Sequence, residues 1–233
     1  MSISKKNNLL LKIPTFIDLY FDVISPYAWI GFEGILRYEE KLKEKNVKLR
    51  LKPFFLGGIL KASGNISPIM VPKKAEYMPK DLKMIAKYWG LNFNLNPKFS
   101  TEIITKQTLL PQRFLTALEQ TSQDLLILAA REYWKRVWET HESIDCENDL
   151  KEVAKSIGLL DVEKYIELTK STEIKNLLKH RTTEALEAGA FGAPWFVIQK
   201  KGESIRCLWG SDRIPILLNE CGIEFCGPMK NKI

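Results

Sequence analysis

Residues 15–55 contain two strand patterns joined by an apolar helix, and this arrangement constrains the fold most strongly. Apolar residues nearly alternate in Thr15–Val23, and aliphatic residues alternate with basic ones in Val47–Phe55, so both segments are predicted as strands. Between them, Ser25 suits the N-cap of a helix and Pro26 its first position, where no N–H is needed. A strand–helix–strand unit of this length predicts a βαβ unit with a parallel strand pair.

The middle of the chain is predicted to be helical, after a segment rich in glycine, proline and serine. That segment, Gly57–Pro79, is predicted as a long loop that covers a ligand. The apolar periodicity then predicts six helices: Lys80–Trp89, Pro111–Glu119, Gln123–Glu139, Glu147–Ile157, Val162–Thr169 and Ser171–Glu187. The last part of the chain is predicted as a hairpin and a final helix: Trp195–Gln199, Ile205–Trp209 and Arg213–Glu220.

This order of elements is β-α-β, a run of helices, then α-β-β-α. It is typical of an α/β protein with a thioredoxin-like domain and an all-α domain inserted after the second strand. We therefore predict a discontinuous thioredoxin-like domain at 1–65 and 175–233, with an inserted helical domain at 66–174. The length of 233 residues is compatible with one or two domains.

The composition excludes disordered, collagen-like and transmembrane proteins. The hydrophobic fraction is 45% and the charged fraction 27%, as in an ordinary globular protein. No apolar run approaches the ~18 residues that a membrane span needs. The net charge is +7, but the basic residues are spread along the chain among acidic neighbours. This pattern favours a solvated surface of mixed charge over a nucleic-acid partner.

The cysteines do not form a redox or metal motif. Cys146, Cys207, Cys221 and Cys226 include no C-x-x-C pair, and the chain has only two histidines, so we predict no metal site. Free thiols are favoured in a chain of this length, although Cys221 and Cys226 are close enough in sequence to pair.

Ser25 is the first candidate for chemistry. The N-terminus of a helix stabilises an anion through its unpaired N–H groups and dipole, and redox thioredoxins place a C-x-x-C pair there. Here Ser25 and Ala28 replace both cysteines, which excludes dithiol exchange. A serine hydroxyl contributes about 1.5–3 kcal/mol towards a substrate thiolate, comparable to the ~2.7 kcal/mol that lowers a thiol pKa by two units. The alternative is that Ser25 only caps its helix.

Two later segments extend this candidate site. Pro194 follows two glycines and enters a strand, which is the place of the cis-proline beside the active site in thioredoxin-like proteins. A cis bond there leaves the backbone of Ala193 free to pair with an extended peptide; an ordinary strand-opening proline is the alternative. Ser211 and Asp212 either cap the last helix or hold the charged end of an α-amino acid. The three segments together describe a pocket for a peptide thiol, and glutathione is the obvious ligand.

The sequence resembles the kappa-class glutathione S-transferases over nearly its whole length. The matching stretches are Asp22–Tyr27 with Trp29, Gly31–Glu33, Ser63–Asn65, Arg113–Ala117, Arg136–Trp138, Gly189–Gly192 with Pro194, and Gly210–Arg213. Their joint order is more specific than any one of them.

The resemblance implies a homodimer that transfers glutathione to electrophiles, often with peroxidase activity. It implies that Ser25 stabilises the thiolate. It assigns further glutathione contacts to Tyr27, Asn65, Ala193, Ser211 and Asp212, and the basic residues suited to the glutathione carboxylates are Lys74 and Arg213. The sequence departs from the family pattern at two positions that bear on the range of substrates. Ala28 stands where relatives often carry a second serine, and Ala193 is smaller than the residue that is common before the cis-proline.

Two other functions remain open at this stage. A glutathione-dependent isomerase of the 2-hydroxychromene-2-carboxylate type would use the same serine and fold, and a non-enzymatic glutathione-binding scaffold dimer would need no thiolate. The family is found in mitochondria and peroxisomes. The acid-free Met1–Pro14 and the S-K-L-like tail Asn231–Ile233 fit these two locations equally well and argue against secretion.

Overall fold

A computed structural model describes residues 14–95 and 99–228, so the targeting features predicted within 1–13 and 231–233 lie outside the described residues. A four-stranded sheet has the order β2-β1-β3-β4. Its strands are β1 (Thr15–Phe21), β2 (Val47–Pro53), β3 (Trp195–Gln199) and β4 (Arg206–Trp209). The pairing of β1 with β2 is parallel, and β3 pairs antiparallel with both β1 and β4. The predicted βαβ unit, hairpin and thioredoxin-like fold are confirmed.

Eleven helices are present in the described part of the chain. They are α1 (Pro26–Leu36), α2 (Glu39–Glu44), α3 (Leu56–Ser63), α4 (Pro72–Trp89), α5 (Phe99–Thr105), α6 (Leu109–Glu119), α7 (Gln123–Trp138), α8 (Glu147–Ser156), α9 (Val162–Lys170), α10 (Thr172–Glu187) and α11 (Ile214–Glu220). Short 3-10 turns occupy Pro68–Met70 and Ser211–Arg213. Helices α4 to α9 lie between β2 and α10 in sequence, and the exact domain boundaries stay a prediction.

The prediction of a loop at Gly57–Pro79 was wrong, because this segment contains α3, a 3-10 turn and the start of α4. Pro68 and Pro72 each stand in a first helical turn, where an N–H is not required, and Pro79 lies inside α4. Gly57 packs against the Phe55 ring, since a Cβ there would lie 2.9 Å from the ring. Proline and glycine therefore mark helix starts and close packing in this segment.

The two faces of the sheet are buried against different helices. Ile17, Leu19 and Phe21 point from β1 into a large core that is continuous with α1, α6 and α7. Tyr20 points to the opposite face, into a smaller core that contains Phe54 and Ala185 of α10. The side chains of β1 thus alternate between two buried faces, as expected for a central strand.

The inserted helices pack directly on the ends of the strands. Gln112 of α6 is fully buried, and its Nε2 donates to the carbonyl oxygens of Phe21 at 2.8 Å and Phe54 at 2.7 Å. These are the positions at which β1 and β2 have just ended. The inserted segment therefore supports the edge of the sheet from which α1 begins.

Asp22 fixes the turn that leads from β1 to α1. Its carboxylate is fully buried and accepts hydrogen bonds from the N–H groups of Ile24 at 3.1 Å and Leu56 at 2.9 Å, and from Thr108 Oγ1 at 3.0 Å. One side chain therefore joins the turn, the start of α3 and the residue before α6. Burial raises the pKa of Asp22 to about 6, although the three donors oppose this shift.

Asp22→Asn should change the pH dependence of stability. The pKa is higher in the folded protein, about 6 against 3.8, so the contribution of Asp22 to stability is fully present below pH 4 and is lost as the pH rises to about 6. The variant has no carboxyl at this position and therefore lacks this loss of stability. For a pKa difference of about two units, the loss is about 3 kcal/mol of unfolding free energy. Urea unfolding at a series of pH values measures the difference between the two proteins.

The exposed Asp124 provides a matched control for this measurement. Asp124→Asn removes one carboxylate from a solvated position and should follow the wild-type pH profile. If the difference between wild type and Asp22→Asn does not vary between pH 4 and 7, the buried carboxyl does not have this role.

Candidate functional site

Ser25 lies at the N-terminus of α1 with its hydroxyl in a defined position. Its Oγ accepts a hydrogen bond from the N–H of Ala28 at 3.1 Å, which makes it the N-cap of α1. The hydroxyl donates to the carbonyl oxygen of Ala193 at 3.4 Å, a long and weak bond. The cap fixes the oxygen, while the weak second bond leaves its proton easy to redirect to a stronger acceptor.

The Ala193–Pro194 peptide bond is cis, as the sequence predicts. Gly31 of α1 allows the proline loop to approach, because a Cβ at Gly31 would lie only 2.8 Å from Pro194 Cγ. The apolar helix α1 therefore packs directly on the loop that faces Ser25.

The same dipeptide also holds the third predicted segment. The N–H of Gly210 donates to the carbonyl oxygen of Pro194 at 3.1 Å. Gly210 has a φ of 100°, and a Cβ there would lie 2.6 Å from Asp212 Oδ1, so glycine is needed at this turn for two reasons. The structure thus brings Ser25, Ala193 and the Ser211–Arg213 turn together around one dipeptide.

The polar side chains of this turn differ in exposure. Ser211 is buried, whereas Asp212 is exposed and forms an ion pair with Arg213. The exposed carboxylate is accessible to a charged ligand, and exchange of its partner from Arg213 to a ligand ammonium group requires little desolvation.

Hydrogen bonds fix Tyr27 and Asn65, and Lys74 lies on the helix that binds Tyr27. Tyr27 donates its hydroxyl to Asp81 of α4 at 2.8 Å, and burial together with this hydrogen bond raises the pKa of the phenol. Asn65 donates from Nδ2 to the carbonyl oxygen of Phe191 at 2.7 Å. Lys74 is exposed on α4, seven residues before Asp81 and so on the same side of the helix.

Trp134 is a supporting residue that the sequence analysis did not assign to the site. This fully buried side chain of α7 donates from Nε1 to the carbonyl oxygen of Ser25 at 3.1 Å. Trp134 packs in the large hydrophobic core. Its bond to Ser25 spans more than a hundred residues, and no local pattern indicates it.

Phe191 and Trp209 form an aromatic surface beside these segments, which sequence analysis also missed. Their ring centroids lie 4.8 Å apart, and both rings are partly exposed. Gly192 lies under the indole, since a Cβ there would approach Trp209 Nε1 to 2.8 Å. A mixed site results, with polar groups at Ser25 and Asp212 and an apolar wall next to them.

The cysteines lie elsewhere and are unpaired. Cys146, Cys207, Cys221 and Cys226 all carry free thiols. Burial raises the pKa of Cys221 to about 11, so this thiol is protonated at neutral pH. Among the described residues, no group of three or more histidine, cysteine or acidic side chains is arranged to hold a metal ion.

Comparison with known proteins identifies the fold and its relatives. The family described as the DSBA-like thioredoxin domain matches residues 16–221. Glutathione S-transferase kappa 2 of Caenorhabditis elegans is 34% identical over 218 residues, 93% of this chain and 96% of the relative. Glutathione S-transferase kappa 1 of Homo sapiens is 34% identical over 219 residues, 93% of this chain and 95% of the relative.

A solved structure shows the same fold at lower sequence identity. It is that of a 2-hydroxychromene-2-carboxylate isomerase, with a TM-score of 0.68, 19% identity, and coverage of 89% of this chain and 94% of the other. The family match over most of the chain and the extent of the kappa-class similarity lead to one assignment. The chain belongs to the DSBA-like thioredoxin family and, within it, to the kappa-class glutathione S-transferases.

Proposed function

We propose that the protein transfers the thiolate of glutathione to electrophiles, and that Ser25 stabilises this thiolate. The position of the Ser25 hydroxyl is the observation that carries the proposal. Its oxygen is anchored by the Ala28 N–H at 3.1 Å, and its proton is held only by a 3.4 Å bond to Ala193. The kappa-class relatives support glutathione as the co-substrate.

The ionised sulfur would gain stabilisation from two sources at this position. The hydroxyl turns from the Ala193 carbonyl to the sulfur and donates a charge-assisted hydrogen bond, about 1.5–3 kcal/mol. The N-terminus of α1 adds ~0.3–1 kcal/mol through its dipole. The thiol proton leaves to solvent, so no general base is required.

The remaining predicted contacts divide the tripeptide among three segments. The backbone of Ala193 pairs with the cysteine residue, and Ser211 and Asp212 hold the γ-glutamyl end. Further contacts are proposed for Asn65, Tyr27, Lys74 and Arg213. Asn65 binds the carbonyl of Phe191, and Arg213 pairs with Asp212. Tyr27 binds Asp81 of α4, the helix that also carries Lys74.

The chemical step is a nucleophilic substitution. The thiolate sulfur forms a bond to the electrophilic carbon of an aryl halide, and the halide leaves with the bonding electron pair. The same thiolate reduces a hydroperoxide when its sulfur attacks the O–O bond. A second glutathione then gives the disulfide, and water and an alcohol are released.

The homodimer and the mitochondrial or peroxisomal location that the resemblance implies stay predictions. Size-exclusion chromatography with light scattering tests the first, and imaging of the full chain in cells tests the second. The isomerase and scaffold alternatives are decided by assay. Turnover of a chromene carboxylate without conjugation indicates an isomerase, and glutathione binding without any turnover indicates a scaffold.

Ser25→Ala should lower conjugation of an aryl halide at neutral pH by about 10- to 100-fold, the equivalent of one hydrogen bond to an anion. The affinity for glutathione should change little, because the other segments still bind the tripeptide. The pH profile of kcat/KM for the aryl halide, at saturating glutathione, should shift to higher pH. The reason is that the thiol of bound glutathione ionises less readily in the variant. Steady-state kinetics and thiolate ultraviolet absorbance measure these changes.

Ser171→Ala is the matched control, because Ser171 also caps a helix and accepts from the Ile174 N–H at 3.2 Å. Its loss should reduce stability by about 1 kcal/mol and leave the pH profile unchanged. Ser25→Thr, which retains a hydroxyl, should recover part of the rate. An unchanged pH profile in Ser25→Ala would falsify the proposed role of this hydroxyl.

Asp212→Ala should mainly raise the KM for glutathione, by about two- to fivefold, the scale of an exposed charge pair. The value of kcat should stay close to wild type, because Asp212 binds the end of the tripeptide remote from sulfur. Glu152→Ala removes one exposed carboxylate from α8 and serves as the control. A loss confined to kcat would contradict the binding role.

A further inference from the structure

Helix α4 has an apolar inner face and an unusual outer face. The inner face is buried in the core through Met78, Leu82, Ala86 and Trp89. The outer face carries a second set of large apolar side chains. In an ordinary surface helix, this face carries polar side chains.

These outer side chains are aligned. Tyr77, Met84 and Tyr88 are 56%, 58% and 50% exposed, respectively. Their spacing of seven and four residues places them on one side of the helix. We call them the α4 stripe. A single exposed apolar side chain needs no explanation, but an aligned set marks a contact surface.

Lysines flank the α4 stripe along its length. Lys73, Lys80 and Lys87 recur every seven residues and are all exposed, so they form a lysine row beside the stripe. The helix carries five lysines against two acids. Of these acids, Glu76 is paired with Lys73 at 2.8 Å, and Asp81 accepts the Tyr27 hydroxyl at 2.8 Å. Although Glu76 offsets the charge of Lys73, the helix keeps a net charge of +3, five lysines less two acids.

The charge decides between possible occupants. A second copy of the chain related by a two-fold axis through α4 would place one lysine row against another, which is repulsive. An anionic lipid surface matches both features, because tyrosine and methionine side chains enter the headgroup region and lysines extend to the lipid phosphates.

We propose that α4 docks the protein on an anionic lipid bilayer through the α4 stripe and the lysine row. The helix lies along the surface and does not cross the bilayer. No helix of the described residues is long and apolar enough to span a membrane. The proposal does not depend on the proposed transferase reaction.

Co-sedimentation of the full chain with lipid vesicles tests this proposal. Binding is expected to vesicles of phosphatidylcholine mixed with phosphatidylglycerol, and not to vesicles of phosphatidylcholine alone. Binding should weaken between 0.1 M and 1 M salt, because the Debye screening length shortens from ~10 Å to ~3 Å. Absence of binding to the anionic vesicles at low salt overturns the proposal.

Two sets of substitutions separate the contributions of charge and apolar contact. The triple variant Lys73→Gln, Lys80→Gln, Lys87→Gln should lose about fivefold in binding for each lysine. The triple variant Tyr77→Ser, Met84→Ser, Tyr88→Ser should also bind more weakly at equal net charge. Thermal unfolding establishes that both variants remain folded.

The matched control replaces three exposed lysines on other helices, in the variant Lys155→Gln, Lys175→Gln, Lys179→Gln. It has the same net charge as the lysine-row variant and should retain most of the binding. Equal losses in both variants overturn the proposal, because binding then follows net charge alone. A stripe variant that dissociates an oligomer and still binds vesicles also overturns it, since the stripe is then an interface between copies.

Discussion

The hydrogen bonds around the cis Ala193–Pro194 dipeptide organise the candidate site. The carbonyl oxygen of Ala193 accepts from the Ser25 hydroxyl, and that of Pro194 accepts from the Gly210 N–H. Two adjacent carbonyl groups thus connect the start of α1 to the turn before α11. Because these segments are far apart in sequence, the dipeptide is the point at which the three parts of the site meet.

The inserted helices are part of the support of this site. Trp134 of α7 holds the carbonyl of Ser25, and Thr108, just before α6, donates to the buried Asp22. Gln112 of α6 binds the ends of both parallel strands. The turn that presents Ser25 is therefore fixed from the side of the insertion.

A serine at this position changes what a thioredoxin-like fold is suited to do. The helix N-terminus still favours an anion, but the protein has no thiol there to supply one. In the proposed reaction the sulfur comes with the substrate, and the free cysteines lie at other places in the fold. Lipid docking through the α4 stripe and the lysine row is a separate proposal, although α4 also binds the Tyr27 hydroxyl through Asp81.

Short-range patterns were sufficient for the main features: the alternation of β1 and β2, the Ser25-Pro26 cap and the hairpin. Each depends on residues that are neighbours in sequence, so periodicity and local backbone preference determine them. The loop prediction at Gly57–Pro79 failed because glycine and proline have the same local preferences in a loop and in a first helical turn. The tertiary structure alone decided the roles of Asp22 and Trp134, because a buried carboxylate or indole acts through partners that folding brings from distant segments.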